Sequence, residues 1–208
     1  MKYRRVQIDG DALVVAFDIC SSTNVIEELT LNGEVELFEN LLAAIKKHMA
    51  KAQEKVLFDP YKFTGDGWIL LFPAGSDGIL VFEVLQDLCK FYKKTFYKVV
   101  LRHLATPPRV MGITFGIDRG PVRRMTMYGQ QEYIGRALNV ACRLQTAAKD
   151  RDSSPEYKAL ISNTAYNKYF SFAQKKVKVW SVRRNLRNIQ GGADFLCKKI
   201  EFLNLREI

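Results

Sequence analysis

The chain predicts an α+β fold: a ferredoxin-like βαββαβ antiparallel sheet packed on one side by helices. Three observations predict it. The apolar run Ala12-Leu13-Val14-Val15-Ala16-Phe17 ends at Asp18-Ile19 and is followed by the small-residue turn Cys20-Ser21-Ser22-Thr23. A second apolar run, Trp68-Ile69-Leu70-Leu71-Phe72, follows the tip Gly65-Asp66-Gly67. Between and after these runs, apolar residues recur at helical spacing.

The elements follow in order. The first strand ends near Asp18, and a helix follows the Ser-Ser-Thr turn. A second helical stretch covers 35–53, with Leu37, Leu41, Leu42 and Ile45 on its apolar side. A strand from about 56 leads into the Gly65-Asp66-Gly67 hairpin and the strand 68–72. A helix spans 77–97, and 102–109, with Pro107-Pro108, is a loop. Residues 110–117 read as a strand and 118–121 as a turn. A helix carries Leu138, Val140, Ala141 and Leu144 on its apolar side. The stretch 149–155 reads as a surface loop. Short strands and one helix complete the chain, ending at 197–205.

Composition narrows the function classes. At 208 residues the chain is long enough for one domain, 1–208, with a full core. No apolar run of about 18 residues exists, so no membrane span is expected. Met1-Lys2-Tyr3-Arg4-Arg5 leads into no apolar segment, so a cytoplasmic location is expected. The four cysteines are scattered without a Cys-x-x-Cys pair, and His48 and His103 are the only histidines. A zinc site or a Ser-His-Asp or Cys-His mechanism is therefore poorly supplied. The formal net charge of +10 suits capture of a polyanion. Aromatic residues do not interleave with the clusters Arg123-Arg124, Lys175-Lys176 and Arg183-Arg184, so no nucleic-acid partner is expected.

Chemistry concentrates in three places. Asp18 and Asp66, side by side, suit a pair of divalent metals, the arrangement that moves phosphoryl groups. Alone, Asp18 reads equally as a helix cap and Asp66 as an ordinary hairpin aspartate. Ser21, Ser22 and Thr23 leave backbone N–H groups open to phosphate at a helix N-terminus. Asn139 and Arg143 are four apart and share the polar face of their helix. Arg supplies planar donors that stay protonated, suited to phosphate.

These motifs resemble the class III nucleotidyl cyclases, the adenylate and guanylate cyclase catalytic domain family. The family's Phe-x-Asp-Ile-x-Gly-Ser-Thr is similar to Phe17 through Thr23, and its Lys-x-x-Gly-Asp-Gly to Lys62 through Gly67. Its Gly-Ile-x-x-Gly-x-Val is similar to Gly116 through Val122. Its Gly-x-x-x-Asn-x-Ala-x-Arg is similar to Gly135, Asn139, Ala141 and Arg143. The resemblance implies that Asp18, Asp66 and the Ile19 carbonyl bind two Mg²⁺ or Mn²⁺ ions per site. It implies that Arg143 stabilises the charge on phosphorus and that Asn139 holds the ribose. It implies a homodimer with two interfacial sites, Asn139 and Arg143 coming from the partner chain. Arg187, in Leu186-Arg187-Asn188, stands where the family has the lysine of Leu-Lys-Gly, a triphosphate contact. Ser21 stands in place of a frequent glycine.

By the same resemblance Lys62 and Glu132 choose the base, facing one another across the dimer interface. Lys donates and Glu accepts. Adenine, uracil and cytosine each offer a matching acceptor and donor. Glu is a methylene longer than Asp, which makes a shallower pocket and favours a single-ring base. A free-standing domain of this size resembles the bacterial pyrimidine cyclases of Pycsar antiphage defence. UTP is the expected substrate and cyclic UMP the product, with ATP the alternative. The diguanylate cyclase signature Gly-Gly-Asp/Glu-Glu-Phe is absent, and the chain is too short for a polymerase with a fingers domain. A non-catalytic nucleotide-binding module would be expected to lack one of Asp18, Asp66, Asn139 or Arg143.

Overall fold

The computed structural model describes residues 6–151 and 156–203, with the side chains of 149–151 left aside. In chain order the elements are β1 (Gly10–Ile19), α1 (Ser22–Leu31), α2 (Glu36–Ala52), β2 (Asp59–Phe63), β3 (Gly67–Pro73) and α3 (Gly78–Val99). Then come β4 (Ile113–Met127), β5 (Gln130–Ile134), α4 (Arg136–Arg151), β6 (Lys158–Ser162), β7 (Val179–Arg184) and β8 (Phe195–Glu201). The sheet order is β2-β3-β1-β4-β6-β8-β7, with β5 added to β4. Its first four strands form the expected βαββαβ core. The remainder extends the sheet beyond β4 through a parallel pairing with β6.

β1 is central and buried on both faces, which is why its sequence is continuously apolar rather than alternating. Leu13, Val15, Phe17 and Ile19 pack on the side of α2 and α3, among Phe38, Leu41, Ile45, Val81, Leu85 and Leu88. Ala12, Val14 and Ala16 pack against Ala137, Leu138 and Ala141 of α4 on the opposite face. The helices therefore lie on both sides, where the sequence reading placed them on one. The strand's two apolar faces each need a cover. Small residues let α4 approach closely: a Cβ at Gly116 of β4 would sit 2.0 Å from the Ala141 carbonyl oxygen.

Three further boundaries differ from expectation. β4 runs straight through 118–121, where a turn was expected: Asp118 pairs with Val14 and Pro121 with Asp11. The long ladder with β1 outweighs local turn chemistry. Second, β4 turns back into β5 through Tyr128 and Gly129, both at positive φ (51° and 73°), as a two-residue hairpin loop requires. Third, residues 149–151, expected in a loop, end α4; 152–155 lie outside the described residues, as do 1–5 and 204–208. All four cysteines are free thiols, three of them buried.

Candidate active site

The acidic half begins at the end of β1. Asp18 pairs with Gly67 of β3 on one side and Thr114 of β4 on the other. Gly67 is required there, because a Cβ would lie 2.0 Å from the Phe17 carbonyl oxygen. That close approach lets the Ile19 N–H donate to the Asp66 carbonyl (3.3 Å), tying the hairpin tip to the strand end. The Ser22 hydroxyl donates to the Asp66 carboxylate and orients it. Both aspartates are half-buried. Asp18 lines a cleft of about 350 Å³ with Thr64, Trp68, Gln145 and Thr146.

The donor set fits a hard divalent cation. Two carboxylates and a backbone carbonyl, all oxygen, suit Mg²⁺ or Mn²⁺, which keep positions open for water and substrate phosphates. Among the described residues no cluster of three or more His, Cys, Asp or Glu converges, so the carboxylates would share the ions with the substrate.

The turn between β1 and α1 divides its three hydroxyls. The Cys20 N–H donates to the Gly112 carbonyl (2.9 Å). Ser21 has a left-handed backbone (φ 58°), which accounts for the resemblance to a glycine position. Its hydroxyl donates to the Val110 carbonyl at 2.9 Å. The Ser22 hydroxyl is engaged by Asp66. Thr23 is exposed, and no side chain caps the N-terminus of α1. What this turn can offer phosphate is therefore the first-turn N–H groups and the Thr23 hydroxyl.

The basic half is carried by α4 and the β7–β8 loop. Asn139 and Arg143 are both exposed, while Val140, Ala141 and Leu144 are buried. Arg143 lines a cavity of about 390 Å³ together with Arg184, Arg187 and Thr146. Thr146 also borders the Asp18 cleft, so the two cavities meet at one side chain. The loop is held in place by Leu186, buried against Val140 and Leu144, and by a bond from the Leu186 N–H to Gly192 (2.7 Å). Arg136 reaches the Gln190 carbonyl at 3.4 Å. Asn188 adopts φ 60°, a left-handed conformation that Asn tolerates. Arg184 was not singled out from sequence; its signal was only the Arg183-Arg184 pair at a strand end.

Lys62 and Glu132 meet, but within one chain. The Lys62 ammonium lies 3.2 and 3.3 Å from the two carboxylate oxygens of Glu132. The expectation that they face one another across a dimer is thereby corrected. β5 folds back from β4 and brings Tyr133 edge-on against Tyr61 of β2, ring centres 5.0 Å apart. This carries Glu132 to Lys62. Tyr61 is a partner the sequence reading missed: its hydroxyl donates to Glu132 and accepts from the Tyr133 N–H (3.2 Å). An irregularity in the β2–β3 register between Asp59 and Lys62 accompanies this placement of neighbouring side chains on one carboxylate. The Tyr61 and Lys62 hydrogen bonds hold the Glu132 carboxyl below its ordinary range. Burial, then the bond to Glu132, pushes the Tyr61 phenol up to about 12.

No family model matches the chain, and no curated protein matches its sequence. Solved structures do match. One is the adenylyl cyclase CyaB from P. aeruginosa, with 19% identity, TM-score 0.71, and 97% of this chain and 98% of that one covered. An adenylate cyclase from Trypanosoma brucei matches at 14% identity and TM-score 0.65, covering 94% and 91%. A guanylyl cyclase matches at 15% identity and TM-score 0.67, covering 95% and 96%. The chain has the fold of the class III cyclase catalytic domain.

Proposed function

We propose that this chain is a class III nucleotidyl cyclase, converting a nucleoside triphosphate to its 3′,5′-cyclic monophosphate and pyrophosphate. The observation that carries the reading is the carboxylate pair. Asp18 lies at the end of β1 and Asp66 sits at the tip before β3, and the hydrogen bond from the Ile19 N–H to the Asp66 carbonyl joins the two segments. The fold likeness to adenylyl and guanylyl cyclases supports the same reaction class.

Asp18, Asp66 and the Ile19 carbonyl hold Mg²⁺ or Mn²⁺, two ions per site. Such ions supply Lewis acidity that lowers the pKa of the ribose 3′-hydroxyl and offsets triphosphate charge. The 3′-oxygen attacks the α-phosphorus in line, and the bond to the β-phosphate oxygen breaks as pyrophosphate leaves. Arg143 meets the charge that develops on the phosphorus oxygens. Arg187 receives the triphosphate tail, with the first turn of α1 and Thr23. Asn139 holds the ribose. Ser22 acts through Asp66 as a positioning residue.

The exposure of Asn139 and Arg143 supports a homodimer in which they serve the partner's carboxylates, giving two equivalent sites. Lys62 and Glu132 set an ammonium beside a carboxylate, a donor next to an acceptor. Uracil matches through O4 and N3–H, and the length of Glu132 favours a single ring. UTP is the proposed substrate and cyclic UMP the product, a second messenger of antiviral defence. The adenylyl cyclases among the structural neighbours favour ATP as the second reading, since N1 and N6–H of adenine match the same pair. Purified chain incubated with Mn²⁺ and each of the four triphosphates tests both. Cyclic UMP as the main product supports the first reading, and cyclic AMP the second. No cyclic product from any nucleotide would sink the enzyme assignment.

A further inference from the structure

We infer a second anion-binding site, a lysine-lined cavity that takes a compact phosphorylated molecule and stands apart from the catalytic cleft. The cavity, of about 470 Å³, lies between α3, the segment leading into β7, and the end of β8. Lys90, Lys175, Lys176 and Lys178 line it, against a single carboxylate, Glu201. Lys90 follows Gln86 by one helical turn, so an amide and an ammonium of α3 border the same space. All four lysines are exposed, and among the described residues none of them is in an ion pair.

The walls are preformed. Gln86 donates to the Phe202 carbonyl (3.0 Å), fixing α3 to the end of β8. The Glu201 N–H donates to the Lys178 carbonyl (3.3 Å). The Lys176 ammonium lies 5.6 Å from the centre of the Phe172 ring. Four lysines around one concave surface concentrate a positive field there. An anion with several charged oxygens meets that field through charge-assisted hydrogen bonds. The shape selects the anion. An extended single strand needs a groove along its backbone with exposed aromatic faces for stacking; the aromatic ring that lines this half-open cavity, Phe202, is buried in the core. The site is separate because Asp18 faces α4, whereas α3 packs on the other side of the sheet.

Inorganic tripolyphosphate is the probe, titrated calorimetrically without divalent metal. The chain should carry Arg143→Ala and Arg187→Ala, which strip the catalytic cavity of two guanidinium groups. One site per chain is expected. Adding Lys175→Gln and Lys176→Gln should weaken binding about tenfold or more, with an unchanged melting temperature. Lys94→Gln, on the same helix as Lys90 but outside the cavity, should leave affinity unchanged. Equal weakening by Lys94→Gln, or unchanged affinity in the Lys175/Lys176 variant, overturns the site in favour of net charge alone. Preferential binding of a single-stranded oligonucleotide, lost in the same variant, overturns the compact-anion assignment. In the otherwise native chain, Lys175→Gln with Lys176→Gln should keep cyclase turnover; its loss would overturn the separation of the two sites.

Discussion

The end of β1 and the outer face of α4 carry the two halves of the proposed site, and they are built in opposite ways. The carboxylates are tied into the fold. Asp66 is gripped through its backbone by Ile19 and through its side chain by Ser22, over a glycine that admits no other residue. Asn139, Arg143 and Arg187 project into solvent from a helix and a loop that are themselves well anchored. Two neighbouring negative charges repel, so their positions must be imposed by surrounding structure. Guanidinium groups gain by staying hydrated until phosphate arrives, since desolvating them in advance costs stability. The acidic half is thus complete within one chain, while the basic half is finished by what binds to it. That asymmetry suits the proposed site shared between two chains.

The largest expected effect is loss of chemistry from the fixed half. Asp66→Ala should lower turnover by about a thousandfold or more, since Lewis-acid stabilisation is worth several kcal/mol. The protein should stay folded, as the near-unchanged melting curve would report. Turnover within tenfold of wild type would remove Asp66 from metal binding. A sharper test keeps both carboxylates and disturbs only their support. Gly67→Ala places a Cβ where β1 must move away. A shift of about 1 Å at a reacting centre costs about a hundredfold. Wild-type turnover in Gly67→Ala would show that the close approach of β1 and β3 does not set the site.

The same contrast explains what was legible in the sequence. The carboxylate half was readable because its parts are contiguous: an apolar run ending at Asp18, and a glycine-flanked Asp66. β1, α2, β3 and α3 were readable from apolar periodicity. Tyr61 was not, because its role depends on β5 returning to β2, a long-range event with no local mark beyond Tyr128-Gly129. For the same reason Lys62 and Glu132 were assigned to opposite chains although they meet in one. β4 was cut short because Asp118-Arg119-Gly120-Pro121 carries strong turn chemistry that the ladder with β1 overrides. Arg184, at the end of β7, gave no local signal beyond the Arg183-Arg184 pair, since only the fold brings it to the cavity it lines with Arg143.

Smaller effects fall on the proposed base-binding pair. Glu132→Ala leaves Lys62 without its partner and should cost roughly ten- to a hundredfold on the preferred nucleotide, with relaxed preference toward purines. Turnover on UTP, CTP, ATP and GTP measures it, and an unchanged preference would take Glu132 out of the pocket. The smallest effect is Tyr61→Phe. Its hydroxyl is the largest cause of the lowered Glu132 pKa. With a depressed folded pKa, the contribution of the Glu132 charge is present above the ordinary carboxylate range and lost as pH falls through the lowered value. Tyr61→Phe should therefore move the acid limb of kcat/KM to higher pH, with little change near neutrality. At the alkaline end the wild-type phenol keeps its proton to about 12, so it contributes no limb below that. An acid limb that stays in place would show that Glu132 does not govern base binding.

In the proposed dimer a carboxylate half from one chain and a basic half from another make one site. Asp18→Ala and Arg143→Ala should each be inactive alone. Mixed in equal amounts and allowed to exchange, half the dimers pair one variant with the other, and each of these carries one site free of both substitutions. The expected recovery is roughly a quarter of wild-type turnover, by the two-fold symmetry of such an assembly. No recovery after verified exchange would rule out the shared site and place all of it within a single chain.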